Sequence, residues 1–308
     1  MQGVSLISSP MEAEARIETA LERAVAKATG SSCPDRLGKA VRYAVVPGGG
    51  RVRPGLCLAV ATACGDPNPR LADAAAAAVE LLHCASLVQD DLPCFDDAAL
   101  RRGQPALHKQ FGEEIAILVG DVLIVMAFDL IAAQVPELPH QGAAILQALA
   151  RAAGAPAGIA AGQAWESEAN IDLVAYHHAK TAALFEAAAV AGAVSAGGDP
   201  EAWRKVGGLL GQAYQVADDL ADALGEATKL GKPIGQDRQN DRPNMVTKLG
   251  TIEAGKKLDD LLVQAKLAIP TCSQREKVEN FLALAARRLC PPELRDKATQ
   301  AANVVVGR

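Results

Sequence analysis

Two short clusters of aspartates are the residues in this chain whose types and spacing could do chemistry. They lie in the strings DDLPCFD and DDLAD and comprise Asp90, Asp91, Asp96, Asp218, Asp219 and Asp222. Like charges three or four residues apart on a helix repel each other, and carboxylates at a helix C-terminus oppose the helix dipole. Both clusters therefore indicate a bound cation, and their oxygen ligands favour a hard one such as Mg²⁺.

The sequence on either side of each cluster decides between a binding site and an ordinary solvated face. A lone DDxxD string is most often a charged helix surface. Here the apolar strings VELLHCASLVQ and LLGQAYQVA precede the two clusters, and uncompensated carboxylates beside buried helices would be costly. Pro93 is expected to end or bend the first helix so that Asp96 turns back toward Asp90. Asp218 and Asp222 are expected to share one helix face.

Basic residues accompany both clusters and a glycine-rich loop. They are Arg51 and Arg53 in GGGRVRP, Arg101 and Arg102 in LRRGQP, Lys180 in HHAKTAAL and Lys232 in LGKPIGQD. Arginine and lysine side chains bind phosphate oxygens. Together with the acidic clusters, they predict a polyphosphate bound through Mg²⁺. The chain contains no GxxxxGK[ST] string and no GxGxxG loop, which excludes P-loop and kinase-type sites.

The elements that must position these residues are predicted to be helices. Apolar residues recur with helical spacing in 11–28, 56–64, 71–88, 115–133 and 141–153, Pro34 restarts the pattern, and Pro47 to Pro54 interrupts it. Alternating strand patterns are almost absent. We therefore expect an all-α fold, a large helical bundle formed by one domain over residues 1–308.

Composition narrows the function classes. The net charge is −5 and aromatic residues make up only 3% of the chain, which argues against nucleic acid as a partner. We find neither a signal peptide nor an apolar run long enough for a transmembrane segment. The seven cysteines have no metal-type spacing and are interpreted as reduced thiols. These features predict a cytoplasmic protein.

The motifs resemble those of the trans-isoprenyl diphosphate synthases, and especially those of the bacterial geranylgeranyl diphosphate synthases of carotenoid pathways. The resemblance extends from about Leu37 to Gly250. It rests on GGGRVRP, the block from VELLHCASLVQDDLPCFDD to LHKQFGE, GDVLIVMAF, HHAKTAALF, YQVADDLAD and GKPIGQD. Two aspartate-rich motifs in this order, with RRG after the first, form a specific signature.

This resemblance implies a polyprenyl-synthase helical fold and a head-to-tail condensation of isopentenyl diphosphate with an allylic diphosphate. The metal ligands would be Asp90, Asp91, Asp96, Asp218 and Asp222, with Asp219 ranked behind them, and they would hold about three Mg²⁺ ions. The allylic diphosphate would contact Arg101, Lys180 and Lys232. Thr181 and Gln215 would lie near the allylic cation, and Arg53, His83 and Arg102 would hold isopentenyl diphosphate. The departing pyrophosphate would accept the proton. The family resemblance also implies a homodimer.

Two positions depart from the family pattern. The glycine loop usually carries a lysine before its arginine, and Gly50 stands there in this chain. We expect weaker binding of isopentenyl diphosphate, unless Arg51 substitutes for that lysine. Arg242 stands where family members often carry another lysine, so the charge is kept while the geometry differs.

The residues just before the first acidic cluster are expected to set the length of the product. Ala85 and Ser86 lie about one helical turn before Asp90, and both are small. A bulky residue there would stop the growing chain at fifteen carbons, because close-packed interiors leave no spare room. Small residues predict a twenty-carbon product, with Leu81 and Leu82 as the next floor of the pocket.

Other functions remain as alternatives. A farnesyl or longer-chain polyprenyl diphosphate synthase would share all of these motifs. A class I terpene cyclase would carry an Asn/Ser/Glu metal motif in place of DDLAD. A non-catalytic regulatory subunit of a prenyl synthase would be expected to lose aspartates or basic residues, and here only the Gly50 departure supports it.

Overall fold

The protein is a helical bundle. The computed structural model describes residues 10–46, 48–224 and 244–289. In chain order its helices are α1 (Pro10–Ala28), α2 (Asp35–Val45), α3 (Val52–Ala63), α4 (Pro69–Asp90), α5 (Leu107–Phe111), α6 (Glu113–Ala132), α7 (Pro139–Ala153), α8 (Ile159–Trp165), α9 (Leu173–His177), α10 (Ala183–Ser195), α11 (Pro200–Leu224), α12 (Met245–Leu249), α13 (Thr251–Leu267) and α14 (Arg275–Leu289). A π-helical turn, His178–Ala182, joins α9 to α10. The predicted all-α fold is confirmed.

Strand structure in the described ranges is limited to one short hairpin. Strand β1 (Leu100–Arg101) pairs antiparallel with β2 (Gln104–Pro105). Arg102 and Gly103 form the two-residue turn, with φ angles of 54° and 77°, as a turn of this length requires. The hairpin follows the first acidic cluster and fixes where Arg101 and Arg102 lie.

Alanine-rich helices form the centre of the bundle. Every residue of α10 except Glu186 is buried, and so is the alanine run 74–78 of α4. Small side chains let helices approach closely: a Cβ added to Gly192 of α10 would lie 2.3 Å from the carbonyl oxygen of Cys57 in α3. Helix α10 also packs on α4, α7 and α11. This core rigidly connects the segments that carry the predicted site residues.

The predicted helix boundaries are accurate to a few residues, and the largest error lies at α3. The sequence placed its start near Leu56, because Pro47 to Pro54 looked like a continuous break. The helix instead begins at Val52 and contains Pro54 in its first turn, where proline costs no hydrogen bond. Arg53 is therefore a helical residue rather than a loop residue.

Two helices are long and apolar enough to cross a membrane by length and composition, contrary to our reading of the sequence. They are α4 and α6, whose most apolar stretches of 18 residues have mean hydropathies of 1.5 and 2.5. Single charged residues interrupt both, which is why the sequence reading missed them. Helix α4 is a core helix, because 78% of its apolar stretch is buried inside the protein. In α6 the buried share of the apolar stretch is 39%.

Candidate active site

The first acidic segment turns back onto the C-terminal end of α4. The backbone N–H of Asp96 donates to the carbonyl of Asp90 at 3.0 Å. The Asp90 carboxylate accepts a hydrogen bond from the Gln163 amide, and Lys180 Nζ lies 3.9 Å from it. Burial raises the pKa of Asp90, Lys180 opposes this rise, and the charges of Asp96 and Glu166 add to it. Several carboxylates thus share one confined place.

The Asp91 carboxylate forms an ion pair with Arg101. Its two carboxylate oxygens accept hydrogen bonds from Arg101 Nε at 3.0 and 3.1 Å, and Arg101 Nη2 also donates to it. The Asp91 side chain is buried. This pair aims Arg101 beside Asp90 and Asp96, whose charges both raise the pKa of the Arg101 guanidinium. The geometry favours a role for Asp91 in orienting Arg101 over direct contact with a metal.

The second acidic segment lies on α11. Asp218 and Asp222 are half-buried there and Asp219 is buried. Asp218 lies near enough to Arg53 to raise the pKa of that guanidinium, although burial lowers it overall. Asp219 accepts hydrogen bonds from Gln215 Nε2 at 2.8 Å and from the backbone N–H of Met245 at 2.6 Å, which joins α11 to α12.

The π-helical turn connects the two acidic segments. Lys180 lies beside Asp90, and the next residue, Thr181, donates its hydroxyl proton to Gln215 Oε1 at 2.6 Å. Gln215 in turn donates to Asp219. A continuous row of contacts therefore runs from Asp90 to Asp219, and both acidic segments border one site. π-helical turns are rare and frequently occur at functional sites.

The carboxylates fit a hard divalent cation. Asp90 is a half-buried carboxylate beside the charges of Asp96 and Glu166, an arrangement that a cation stabilises. Within residues 10–46, 48–224 and 244–289, no three His, Cys, Asp or Glu residues already stand close enough together to hold a metal. The five predicted metal ligands therefore do not form one assembled cluster in this part of the chain.

Three residues of the site were missed by the sequence reading. Glu166 accepts hydrogen bonds from Lys180 Nζ and from the hydroxyl of Tyr176, the latter at 2.7 Å, and Gln163 binds Asp90. Gln163 and Glu166 are three residues apart in the string GQAWE. Polar residues at that spacing on an otherwise apolar helix were the available signal.

A second cationic group surrounds the start of α3. The Arg53 guanidinium lies over the rings of Phe185 and Tyr214, 4.5 and 5.2 Å from their centres. Its Nη1 is 3.4 Å from His83 Nε2, and its buried Nε has no hydrogen-bond partner in the described part of the chain. Burial, followed by the nearby arginines, lowers the pKa of His83 well below its ordinary value. The imidazole is therefore neutral at pH 7.

The glycine loop lies directly under Arg102. The Arg102 guanidinium donates to the carbonyl of Gly48, and a Cβ at Gly49 would lie 2.5 Å from Arg102 Nη2. Any other residue at position 49 would require the end of the Arg102 side chain to shift. Arg102 also lowers the pKa of Arg53 and of His83, so these three predicted contacts of isopentenyl diphosphate lie together.

Arg51 does not belong to this group, which corrects the prediction that it contacts substrate and replaces the missing lysine. It is a buried residue whose guanidinium donates to Glu18 at 2.7 and 3.2 Å, to Glu80 at 2.7 Å and to the carbonyl of Val45 at 2.9 Å. All of its side-chain nitrogens are engaged. Arg51 anchors the glycine loop to α1 and α4.

The predicted chain-length residues lie on two adjoining rows of α4. Leu82, Ser86 and Asp90 follow one another at four-residue intervals, and so do Leu81, Ala85 and Gln89. The second row faces α6, because a Cβ on Gly120 of α6 would lie 3.5 Å from the Gln89 side chain. Leu81, Leu82 and Ala85 are buried, and Ser86 is half-buried. The wall of a pocket below Asp90 would include these rows.

Two predicted substrate contacts, Lys232 and Arg242, lie outside the described residues.

Known proteins resemble this chain over nearly its whole length. The family model for polyprenyl synthetase matches residues 34–280. A geranylgeranyl diphosphate synthase of Cereibacter sphaeroides is 50% identical over 284 residues, which are 92% of this chain and 99% of the relative. A second geranylgeranyl diphosphate synthase, from Rhodobacter capsulatus, is 46% identical over 279 residues, which are 91% of this chain and 96% of the relative.

Solved structures share the fold. A geranyltransferase from Helicobacter pylori, complexed with magnesium and isoprenyl diphosphate, superposes with a TM-score of 0.73 at 28% identity, covering 91% of this chain and 98% of that one. A geranylgeranyl pyrophosphate synthetase from Pyrococcus horikoshii gives a TM-score of 0.74 at 27% identity, with coverages of 91% and 98%. The sequence match, the fold and the paired acidic segments agree, and the chain belongs to the polyprenyl synthetase family.

Proposed function

We propose that this protein is a geranylgeranyl diphosphate synthase, which condenses isopentenyl diphosphate with dimethylallyl, geranyl or farnesyl diphosphate. The observation that carries the proposal is the full-length similarity to two bacterial geranylgeranyl diphosphate synthases, at 50% and 46% identity. The site supports the same chemistry, because two acidic segments and two separate cationic groups meet around one helical core.

The first cationic group, which consists of Arg101 and Lys180, is suited to the allylic diphosphate. Asp90, Asp96, Asp218 and Asp222 are the carboxylates that would hold Mg²⁺, which in this family we take to be about three ions. When bound, the metal would neutralise the charge that develops on the leaving diphosphate. Asp91 would keep Arg101 pointed at that diphosphate.

Lys180 and its partner Glu166 would act on the same leaving group. Lys180 lies between Asp90 and Glu166, so its ammonium would stand beside the arriving diphosphate. Charge-assisted contacts of this kind are about twice as strong as neutral ones. Lys232, at its predicted position in the motif GKPIGQD, would add a second lysine.

Thr181 and Gln215 would stabilise the allylic cation through their oxygen atoms. Gln215 has its amide nitrogen bound to Asp219, so its carbonyl oxygen is fixed toward Thr181. This orientation presents two oxygen dipoles to one place, next to the lysine that holds the departing group. Positive charge that develops there is favoured by preorganised dipoles.

The second cationic group would bind isopentenyl diphosphate. Arg53, His83 and Arg102 lie together, and the unpartnered buried Nε of Arg53 calls for an acceptor such as a phosphate oxygen. The double bond of isopentenyl diphosphate would then attack the allylic cation. The departing pyrophosphate would accept the proton that is lost.

We extend this proposal to the oligomeric state of the protein, its cellular location and the pathway that it serves. Helix α6 exposes the apolar side chains of Ile117, Leu118 and Val125, and burial of this face in a homodimer would remove it from water. The similarity to two bacterial enzymes, together with the charged, water-soluble substrates, supports a location in the cytoplasm. A twenty-carbon product would suit carotenoid biosynthesis.

Product analysis tests the proposed function. Purified protein is incubated with isopentenyl diphosphate, Mg²⁺ and each allylic primer in turn, and the products are sized by chromatography. We expect a twenty-carbon diphosphate and loss of activity in a chelator. A fifteen-carbon product, or one longer than twenty carbons, would favour a farnesyl or long-chain synthase. The absence of product with every primer would favour the non-catalytic subunit.

A further inference from the structure

The glycine loop is held from two sides by arginines. Arg102 donates to the carbonyl of Gly48 from the β1–β2 hairpin. On the other side, Arg288 Nη1 donates to the carbonyl of Gly50 at 3.1 Å. Arg288 belongs to the last turn of α14 and is 238 residues away in the sequence. No motif or spacing in the chain connects these two positions.

Helix α14 holds Arg288 in a defined place. The ring of Phe281 would lie 2.9 Å from a Cβ added to Gly55, so α14 rests directly on α3. At the end of α14, Leu289 packs against the apolar cluster that α11 and α13 form, which includes Val216 and Leu220, and α14 contacts α11. Arg288 therefore stands where α14 bridges the glycine loop and the helix that carries the second acidic segment.

Position 50 lacks the positive charge that the family loop usually carries. Gly50 has no side chain, and its neighbour Arg51 is fully engaged with Glu18, Glu80 and the Val45 carbonyl. Arg288 is exposed, and the carbonyl of Gly50 is its one hydrogen-bond partner in the described part of the chain. Among the described residues its other N–H groups have no acceptor.

We propose that Arg288 provides the cation missing at position 50 and binds the diphosphate of isopentenyl diphosphate together with Arg53, His83 and Arg102. This inference rests on the proposed function and identifies a substrate contact that no motif contains. An arginine also suits the role chemically, because its planar group can donate to the Gly50 carbonyl and to a phosphate at once.

Steady-state kinetics of Arg288→Ala tests the proposal. We expect the KM for isopentenyl diphosphate to rise roughly tenfold, the effect of one lost charge-assisted contact. The KM for the allylic primer and the kcat should change little. Arg287→Ala is the matched control, because Arg287 is also exposed, has the same chemistry and precedes Arg288 on the same helical turn.

Rescue by a lysine at position 50 gives the sharper result. Among the described residues, a Cβ at Gly50 would meet Val52 Cγ2 at 3.3 Å, a close contact that a small shift of the Val52 side chain would relieve. Gly50→Lys should lower the KM for isopentenyl diphosphate strongly in the Arg288→Ala protein and only weakly in the parent protein. Such non-additivity is expected when two groups serve one contact.

Two further measurements separate a substrate contact from a merely structural one. Arg288→Gln keeps a donor for the Gly50 carbonyl without the charge, and should still raise the KM for isopentenyl diphosphate. Calorimetric titration of isopentenyl diphosphate alone should show the same loss of affinity in the absence of turnover. Parent-like values for Arg288→Gln, or equal behaviour of Arg288→Ala and Arg287→Ala, would overturn the proposal. Absence of product from the parent protein would instead refute the proposed function.

Discussion

At the scale of single residues, the site depends on orientation as much as on composition. The sequence indicated Thr181 and Gln215, but a motif does not state which way an amide points. In the structure Asp219 holds the amide nitrogen of Gln215, and Thr181 donates to its oxygen. Because an amide presents a donor and an acceptor on opposite atoms, these two contacts fix which end of the Gln215 amide faces Thr181.

Thr181→Val tests this arrangement with little change in side-chain volume. The substitution removes one of the two proposed oxygen dipoles and the hydrogen bond that the other, Gln215 Oε1, accepts. We expect kcat to fall about a hundredfold, the lower end of the range for loss of one preorganised group, while both KM values stay near those of the parent. Thr181→Ser, which keeps the hydroxyl, should retain most of the activity. Equal kcat values for the two variants would contradict the assignment, and melting temperatures would report any loss of folding.

At the scale of elements, the sequence predicted what depends on local pattern and missed what depends on contacts between distant segments. Helix periods and prolines located α1, α4, α6 and α7 within a few residues, because spacing along one chain determines a helix face. The π-helical turn and the roles of Gln163 and Glu166 were missed, since each depends on a partner from another helix. Arg51 was misassigned for the same reason: its acceptors are supplied by α1 and α4.

Residues of helix α4 are predicted to set the length of the product. Ser86 lies one turn before Asp90 on the same row and is half-buried, whereas Ala85 faces α6 and is 2% exposed. A bulky side chain in either place should block growth beyond fifteen carbons. Ala85→Tyr also overpacks the core, at a cost of about 1–3 kcal/mol, so Ser86→Phe is the cleaner variant.

The measurement is the product spectrum of Ala85→Tyr and Ser86→Phe with isopentenyl diphosphate and a dimethylallyl primer. Both should shift the product from twenty to fifteen carbons, and Ser86→Phe should do so with the smaller loss of melting temperature. Ser86→Ala serves as the control and should leave the twenty-carbon product unchanged. An unaltered spectrum in both bulky variants would show that the chain grows elsewhere.

At the scale of the whole molecule, one apolar surface remains unexplained by the fold of a single chain. Helix α6 is the most apolar long helix, yet Leu118 and Val125 are 48% and 66% exposed. These two residues are seven apart and therefore lie on one face. Exposed apolar side chains on one helix face, here with the exposed Asp121 between them, are a feature of interaction surfaces, and α6 also packs on α4, which carries the predicted chain-length residues. Dimer formation would therefore also support the catalytic site.

Val125→Lys should convert a dimer to a monomer, because a lysine in the middle of an apolar interface would be buried without a partner charge. Light scattering coupled to gel filtration measures the change. The matched control is Leu267→Lys at the end of α13, where the parent side chain is 75% exposed and no interface is proposed. We expect the parent and the control to have the mass of two chains and Val125→Lys to have the mass of one. The melting temperature of Val125→Lys should also be lower, because the apolar side chains of α6 become exposed to water. A parent protein that already has the mass of one chain would refute the homodimer and leave the α6 face to another partner.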